Sequence, residues 1–231
     1  MQETKVQDHE FPLDQLHALG FKFIEICGEK SYNGVAILSR IAFSDVTMRK
    51  FAGDSCRHIS IKLSNDIELH NFYIPAGGDI PDVDLNPKFA NKLQYLDEVT
   101  NWFSQNRSPQ DKMILVGDLN ISPLEHDVWS HKQLLKEVSH TPIEIEKLKK
   151  WQNSLNWCDT HREFTPEDQK LYSWWSYRNR DWRKSNRGRR LDHIWVSDPL
   201  KSKVTNAWIL KDARDWESPS DHVPVLAKFS L

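Results

Sequence analysis

The chain has 231 residues, and 39% of them are hydrophobic, which is enough for one domain with a sizeable apolar core. Its formal net charge of −2 excludes a general attraction to nucleic acid, so any such binding must come from a local basic patch. No apolar run approaches the roughly 20 residues that span a bilayer, and Cys27, Cys56 and Cys158 form no CxxC pattern. We therefore expect one cytoplasmic domain over residues 1–231, with no membrane partner, no disulfide framework and no thiolate metal site.

The first half of the chain carries the alternating patterns of β-strands. Residues 21–26 and 35–38 are predicted as short strands, with turn chemistry at Asn33-Gly34 between them. A second pair follows, in which residues 59–63 and 67–74 flank a polar three-residue turn. This second pair predicts a β-hairpin.

The spacing of apolar residues becomes helical in the middle of the chain. Asn86 is a residue type that caps helices, and Pro87 suits the first helical position. Apolar residues then recur every three or four positions, at Phe89, Leu93, Leu96, Val99 and Phe103. Further elements are predicted as a strand over 113–118, a helix over 144–155, and strands over 191–196, 204–210 and 225–229. This order is typical of layered α/β folds.

Three predicted strands carry acids at or near their ends. Asp118 ends one strand, and Asn120 lies two positions further on, so both side chains can point the same way. Asp192 lies in a second strand, and the pair Asp221-His222 precedes the last one. A carboxylate beside an imidazole suits acid–base chemistry. Seen alone, the Asp118–Asn120 motif is more often an Asx turn, and Asp192 and His222 fit a surface acid and a core histidine equally well.

A basic and aromatic segment runs from Trp174 to Arg190. It holds one acid, Asp181, against seven cations, with three aromatic residues between the charges: Arg178, Arg180, Arg183, Lys184, Arg187, Arg189 and Arg190, with Trp175, Tyr177 and Trp182. Such cations pair with phosphates while aromatic rings stack on bases. The alternative is a solvated loop whose arginines pair with acids elsewhere on the surface.

Six ordered motifs resemble the exonuclease III type of AP endonucleases, within the endonuclease/exonuclease/phosphatase superfamily. They are Gln2-Glu3-Thr4-Lys5, Asn71-Phe72-Tyr73-Ile74-Pro75, Gly117-Asp118-Leu119-Asn120-Ile121-Ser122-Pro123, Tyr172-Ser173-Trp174-Trp175-Ser176-Tyr177-Arg178, and Arg190-Leu191-Asp192 with Ser220-Asp221-His222. The resemblance covers essentially the whole chain. It implies an α/β (α+β) fold, built as a four-layer sandwich of two stacked mixed β-sheets flanked by helices.

The resemblance also implies an activity. The expected enzyme is a Mg²⁺-dependent phosphodiesterase, with Mn²⁺ as the alternative metal, and is monomeric at full length. Its expected partner is double-stranded DNA with abasic sites or 3′ ends, on which it acts as a 3′-to-5′ exonuclease and abasic-site endonuclease in base excision repair.

Residue roles follow from the same resemblance. Glu3 is implied as the principal metal ligand, and Asp221 contributes to the metal site. The implied catalytic residues are Tyr73, Asp118, Asn120, Asp192 and His222. Among them, Asp118 accepts the proton of the attacking water, His222 donates to the phosphate, and Asp192 holds the imidazole in one tautomer. The residues predicted to contact DNA, from the basic segment or the resemblance, are Arg57, Trp174, Trp175, Arg178, Arg187 and Arg189.

The chain departs from the resemblance at its start. Family members normally open with a strand, a helix and a second strand that ends at the position of Glu3, and we expect a domain truncated by that segment, with lower stability and activity. One alternative is a catalytically impaired DNA-binding remnant; another is a phosphatase acting on lipid or inositol phosphates. Six polar residues retained at strand ends favour the enzyme, and the basic segment suits a long polyanion better than a small headgroup.

Overall fold

The computed structural model describes residues 1–179 and 181–231, and Arg180 of the basic segment lies outside the described residues. Five strands follow one another in the first third of the chain, and strands and helices are mixed in the rest. The strands are β1 (Phe23–Cys27), β2 (Val35–Ser39), β3 (Phe43–Met48), β4 (His58–Leu63), β5 (Glu68–Tyr73), β6 (Met113–Asp118), β7 (Cys158–Asp159), β8 (Trp174–Trp175), β9 (Gly188–Arg189), β10 (Asp192–Val196), β11 (Val204–Ile209) and β12 (Val225–Phe229). The helices are α1 (Leu13–Ala18), α2 (Pro87–Asn106), α3 (His131–Leu134), α4 (Pro142–Ser154), α5 (Thr160–Phe164), α6 (Trp182–Ser185) and α7 (Asp198–Lys201).

A six-stranded mixed sheet forms the centre of the fold, in the order β3-β4-β5-β6-β10-β7. Its strands pair antiparallel except β5 and β6, which are parallel. The crossover between these two contains α2, as expected because parallel neighbours need a long connection. The carboxyl ends of β5 and β6 therefore meet at one edge of the sheet.

The predicted hairpin and the predicted long helix are both confirmed. Strands β4 and β5 pair antiparallel across the turn at residues 64–66. Helix α2 begins at Pro87, and the side chain of Asn86 accepts a hydrogen bond from the Lys88 backbone at 3.1 Å. Strand β3 was not predicted, because its pattern is largely exposed and lacks a buried face.

Two layers cover the central sheet. On one face, α2 and α4 pack apolar side chains, among them Leu96 and Trp151, against Leu115 of β6. On the other face, β1–β2 and β11–β12 form two separate antiparallel pairs, and Val225 packs near Ile114. The predicted layered α/β sandwich is confirmed, but within the described residues the second sheet layer consists of these two antiparallel pairs and not of one mixed sheet.

Strand β6 is buried on both faces, which explains its continuous apolar run. Met113 and Leu115 face the helices, whereas Ile114 and Val116 face the second sheet layer. By the same alternation, Asp118 lies on the face that the second layer covers. The strand thus delivers its terminal acid to the space between the two sheet layers.

The expectation that the chain has no disulfide is wrong. Cys27, at the end of β1, is bonded to Cys56, with their Cα atoms 4.9 Å apart. The backbone N–H of Gly34 donates to the Cys56 carbonyl at 3.0 Å, which brings the loop after β1 to the loop before β4. Short cysteine-spacing motifs do not predict this disulfide, because 29 positions separate the two residues. Cys158 is a buried free thiol.

Within the described residues, we find no helix that is both long and apolar enough to cross a membrane.

Candidate active site

Three neighbouring strand ends form the floor of the site. The register pairs Tyr73 of β5 with Asp118 of β6, and Asp118 with Asp192 of β10. Side chains opposite each other in register lie on the same face of a sheet. One phenol and two carboxylates therefore stand in a row across the sheet edge, and all three residues are at most 7% exposed.

His222 reaches this row from the second sheet layer, on the loop that leads into β12. Its Nδ1 lies 2.8 Å from Asp192 Oδ2, which also accepts a hydrogen bond from Ser173 Oγ at 2.6 Å. The carboxylate is thereby fixed and holds the imidazole hydrogen on Nδ1. The other nitrogen, Nε2, lies 3.9 Å from Asp118 Oδ2.

The close approach of these groups changes their proton affinities. Burial raises the pKa of Asp118 to about 7, against the opposing charge of His222 and with help from Asp192. For His222, burial disfavours the charged ring, but the charges of Asp192 and Asp118 outweigh burial and raise the pKa to about 10. At neutral pH the imidazole is therefore protonated, whereas Asp118 lies where a general base works best.

Asn120 fixes both oxygens of the Asp118 carboxylate. Its backbone N–H donates to Asp118 Oδ1 at 2.9 Å, and its side-chain amide donates to Oδ2 at 3.0 Å. The amide also donates to the Ile74 carbonyl at 2.9 Å. This arrangement requires the left-handed backbone that Asn120 adopts, with φ of 53°. The spacing of Asp118 and Asn120 thus brings them together as predicted, through a turn and not along a straight strand.

Glu3 and Asp221 lie on the wall of the same cavity as Asp118 and His222. The Tyr73 hydroxyl donates a hydrogen bond to Glu3 Oε1. Burial and the Glu3 carboxylate raise the pKa of Tyr73, so its hydroxyl keeps its hydrogen at neutral pH. Asp221 Oδ2 accepts a hydrogen bond from Trp174 Nε1 at 3.0 Å.

The donor set suits a metal ion. Ligand atoms of Asp118, Asp192 and His222 all lie within 4.8 Å of one another. Asp192 lies behind His222, so the carboxylates on the cavity wall, Glu3 and Asp221, are the better placed ligands. Carboxylate oxygens are the ligands that hard divalent cations prefer. The raised pKa of Asp118 reflects burial and crowded negative charge, which such a cation would neutralise.

The cavity has a volume of about 640 Å³. Ten of the predicted site residues line it: Glu3, Tyr73, Asp118, Asn120, Trp174, Arg178, Arg187, Arg189, Asp221 and His222. Asp192 lies behind His222. Residues from five separate parts of the chain are thus brought to one place.

Two residues predicted to contact DNA are buried, and these predictions are corrected. Arg57 is 3% exposed; its Nε lies 2.9 Å from Asp54 Oδ2, and it donates to the Tyr73 carbonyl at 3.2 Å. Trp175 is 1% exposed and donates to Asn186 Oδ1 at 3.2 Å. Both side chains support the site from within the fold and present no surface to a polyanion.

The basic segment divides into two groups of cations. Arg190 is fully buried, with its Nε 2.7 Å from Asp127 Oδ1, and the exposed Arg183 lies 2.9 Å from Asp212. These two arginines form ion pairs with acids outside the segment, as expected from the alternative in which its arginines do not bind DNA. The cations that line the cavity are Arg178, Arg187 and Arg189.

Trp129 is a cavity residue that the sequence reasoning missed. The Arg187 guanidinium lies over its ring, with 4.7 Å to the ring centroid. Arg189 similarly lies 5.6 Å from the centroid of Trp174. The only signal in the sequence is an aromatic residue nine positions after Asn120 in a polar stretch. Paired arginines and indoles are the groups that contact phosphates and bases together.

The chain is similar to known proteins over its whole length. A model of the endonuclease/exonuclease/phosphatase family matches residues 1–222. Exodeoxyribonuclease III of Haemophilus influenzae is 29% identical, over 99% of this chain and 88% of the relative. An AP endonuclease from Archaeoglobus fulgidus is also 29% identical, with a TM-score of 0.92 over 100% of this chain and 88% of that one. The 3′ phosphatase NExo from Neisseria, bound to a product DNA hairpin, is 27% identical, with a TM-score of 0.89 over 100% and 87%.

Proposed function

Since this chain belongs to the endonuclease/exonuclease/phosphatase family and is an enzyme of the exonuclease III type, we propose that it is a Mg²⁺-dependent phosphodiesterase on double-stranded DNA. Its proposed activities are incision at abasic sites and removal of 3′-terminal nucleotides in base excision repair. The similar proteins are named for such activities: exodeoxyribonuclease III, AP endonuclease and a 3′ phosphatase bound to DNA.

One observation carries the proposal: the row Tyr73, Asp118 and Asp192, completed by His222, opens into a cavity whose wall carries three arginines. A phosphodiester is already anionic, so a nucleophile reaches its phosphorus only when positive charge and hydrogen-bond donors meet the phosphate oxygens. The site combines a base, a protonated imidazole and several carboxylates, which is what this chemistry needs.

The residues divide the reaction between them. Asp118, on the cavity floor, accepts a proton from the water whose oxygen attacks phosphorus. Asn120 holds the Asp118 carboxylate in position, and protonated His222 donates to a nonbridging phosphate oxygen. A bound Mg²⁺ would supply Lewis-acid stabilisation of the negative charge that develops in the reaction. Glu3 and Asp221 are the proposed ligands, with Mn²⁺ as the alternative ion.

DNA would lie across the cavity mouth. Arg178 and Arg187 are exposed there and suit the phosphate backbone. Trp174 and Trp129 offer ring faces beside the catalytic row, where a baseless sugar or an unstacked base would fit. A phosphatase that acts on a small lipid or inositol headgroup would not require so many arginines and tryptophans around the cavity mouth. We also propose that the protein is cytoplasmic and, at full length, monomeric.

The test is incubation of the purified protein with a duplex that carries one abasic site, in Mg²⁺ and in EDTA, followed by gel analysis of strand cleavage. Nicking in Mg²⁺ and its loss in EDTA are the expected results. Asp118→Ala should abolish nicking while DNA binding persists. Arg57→Ala is not an informative DNA-binding control, because the residue is buried. Tight binding of DNA without nicking would instead identify a catalytically impaired binding protein.

A further inference from the structure

Lys92 of α2 is a fully buried cation beneath the cavity floor, and it has no part in the chemistry described above. Its Nζ lies 2.8 Å from the Asn120 carbonyl, 3.2 Å from the Ala76 carbonyl and 2.5 Å from Glu144 Oε1. A lysine ammonium has three N–H donors. Each donor therefore has an acceptor, and two of the acceptors are backbone carbonyls of loops.

Glu144 of α4 connects the same cation to a third loop. This carboxylate is also fully buried. It accepts hydrogen bonds from the Ser139 backbone N–H at 3.0 Å and from the Thr141 hydroxyl at 2.6 Å. Ser139 Oγ in turn accepts from Arg189 Nη1 at 2.7 Å. The ion pair is thus linked, through one loop, to an arginine of the cavity wall.

All three tethered loops line the cavity. They contribute Ala76 and Gly78, then Asn120, then Val138 and Ser139. The most consequential tether is to Asn120, whose left-handed backbone lets its side chain hold the Asp118 carboxylate. The hydrogen bond from Lys92 to the Asn120 carbonyl fixes the orientation of the peptide that follows Asn120. It thereby holds Asn120 in its left-handed conformation, which is strained for a residue other than glycine.

Stability alone is a weak reason for this arrangement. Two charges in an apolar interior lose their hydration, and apolar side chains of similar volume are often equally stable in their place. The same two helices have a second lysine–carboxylate pair, Lys147 with Asp97, on a partly exposed surface, with the Nζ 2.6 Å from the carboxylate. The buried pair differs from that one in touching the loops of the active site.

We propose that Lys92 is a positioning residue for phosphodiester hydrolysis: its Nζ holds the carbonyls of Asn120 and Ala76, and so fixes the Asn120 turn that aims the general base. Glu144 balances its charge and carries the same constraint to the loop that bears Ser139. This inference rests on the proposed function. It assigns no contact between Lys92 and the substrate.

The test compares Lys92→Met, the double variant Lys92→Met/Glu144→Gln, and the control Lys147→Met. Lys92→Met leaves Glu144 charged and unpaired, so a lower melting temperature is expected. The double variant removes both charges and should recover most of that loss. On the abasic duplex, its kcat should still fall about 10- to 100-fold, because small misplacements of reacting groups have effects of this size. KM should change less than about twofold, since the arginines that bind DNA remain.

Hydrogen exchange of the folded proteins gives a second readout that does not depend on activity. Backbone amides of residues 76–78 and 119–122 should exchange roughly tenfold faster in the double variant than in the wild type. In Lys147→Met, their exchange rates should equal those of the wild type. If the wild type does not nick DNA, the proposed function fails, and exchange alone decides the role of Lys92.

The inference is overturned if the double variant keeps the wild-type kcat, or if the two loops exchange at the wild-type rate. Recovery of both melting temperature and kcat would mean that Lys92 only neutralises Glu144. Should the methionine double variant fail to fold, Lys92→Gln/Glu144→Gln replaces it, because a glutamine amide can still donate one of the lost hydrogen bonds. The expected kcat loss is then about 3- to 10-fold, and no loss overturns the inference.

Discussion

At the scale of single residues, the site works through the contrast between Asp118 and His222. The two groups lie 3.9 Å apart, yet the acid has its pKa raised and the imidazole is held protonated. Burial is the main cause of the raised pKa of Asp118, whereas Asp192, which is hydrogen-bonded to Ser173 and His222, contributes most to the raised pKa of His222. Neutralising Asp192 should therefore affect the reaction through His222.

Asp192→Asn tests this coupling. Asp192 raises the pKa of His222, so its removal should lower that pKa and move the loss of activity at alkaline pH to a lower pH. We expect kcat at pH 7.5 to fall about 100-fold or more, the range for loss of one preorganised hydrogen-bond donor to the reacting group. The measurement is the pH profile of abasic-site nicking between pH 6 and 10. An unchanged alkaline limb would contradict the role of Asp192.

Arg187→Ala tests the cations of the cavity rim. Arg187 is exposed and lies over Trp129, so its loss should weaken DNA binding. The magnitude of the slope of log Kobs against log salt concentration should fall by about 1, the value for one lost phosphate contact. Fluorescence anisotropy with a labelled duplex, in EDTA, measures both quantities. Lys112→Ala is the matched control, because Lys112 is exposed immediately before β6, at the opposite end of that strand from Asp118. An equal effect in both variants would refute a local DNA site.

At the scale of elements, the site depends on where strands and helices end. The register of β5, β6 and β10 sets the catalytic row, and a slip of one residue would turn Asp118 to the helix side of the sheet. Helix α2 joins β5 to β6 and carries Lys92 beneath the floor. Its first turn is held to the loop at residues 77–80, because the Asn86 amide donates to the carbonyls of Gly77 and Ile80.

Asn86→Ala tests that junction. The substitution removes the α2 cap and two hydrogen bonds to the loop, so the free energy of unfolding should fall by about 1 to 2 kcal/mol. Urea denaturation measures the change. Asn101→Ala makes the same chemical change at an exposed position within α2 and should be neutral or slightly stabilising, since alanine favours helix. Equal losses in both variants would show that the cap has no special role.

At the scale of the whole molecule, buried charge joins parts of the chain that the sheets leave apart. The Arg190 guanidinium lies 2.7 Å from Asp127 and 2.6 Å from Asp159, and Asp127 is also bonded to Arg162. These residues belong to the turn after the Asn120 loop, to β7, to α5 and to the segment before β10. The cluster fixes the basic segment against the sheet, which keeps its other arginines at the cavity.

Arg190→Met should be severely destabilising. It leaves the carboxylates of Asp127 and Asp159 buried without a full set of partners, a change that typically lowers the free energy of unfolding by about 3 to 5 kcal/mol. Arg183→Met removes an exposed pair from the same segment and should change stability little. Chemical denaturation of both variants makes the comparison. A small effect of Arg190→Met would mean that the cluster is not a structural junction.

Buried histidines should make the whole fold sensitive to acid. Burial lowers the pKa of His161 from 6.5 to about 4. The unfolded chain therefore binds more protons between these values, and stability that is fully present above pH 6.5 is lost as the pH falls towards 4. In His161→Gln, the loss between pH 7 and 5 should be smaller than in the wild type by about 2 kcal/mol.

Denaturation curves at the two pH values measure this difference. His9→Gln, at an exposed position, should lose as much stability as the wild type. An acid sensitivity of His161→Gln equal to that of the wild type would contradict the assignment.

The sequence by itself determined the layered fold class, the β4–β5 hairpin, α2 with its Asn86 cap, and the strand ending at Asp118. These features depend on residues close together in the chain, and local spacing of apolar and capping residues records them. The family motifs also named the residues that line the cavity, although spacing alone did not establish their roles.

Only the tertiary structure decided which members of the basic segment face the cavity, that Arg57 and Trp175 are buried, that Cys27 pairs with Cys56, and that Trp129 joins the rim. The burial of Lys92 was also decided by the tertiary structure, because in the sequence it looks like an ordinary charged residue of a helix. Burial and pairing depend on neighbours distant in the chain. A side chain's charge can be read from its letter, but the partner that neutralises that charge is supplied by the fold.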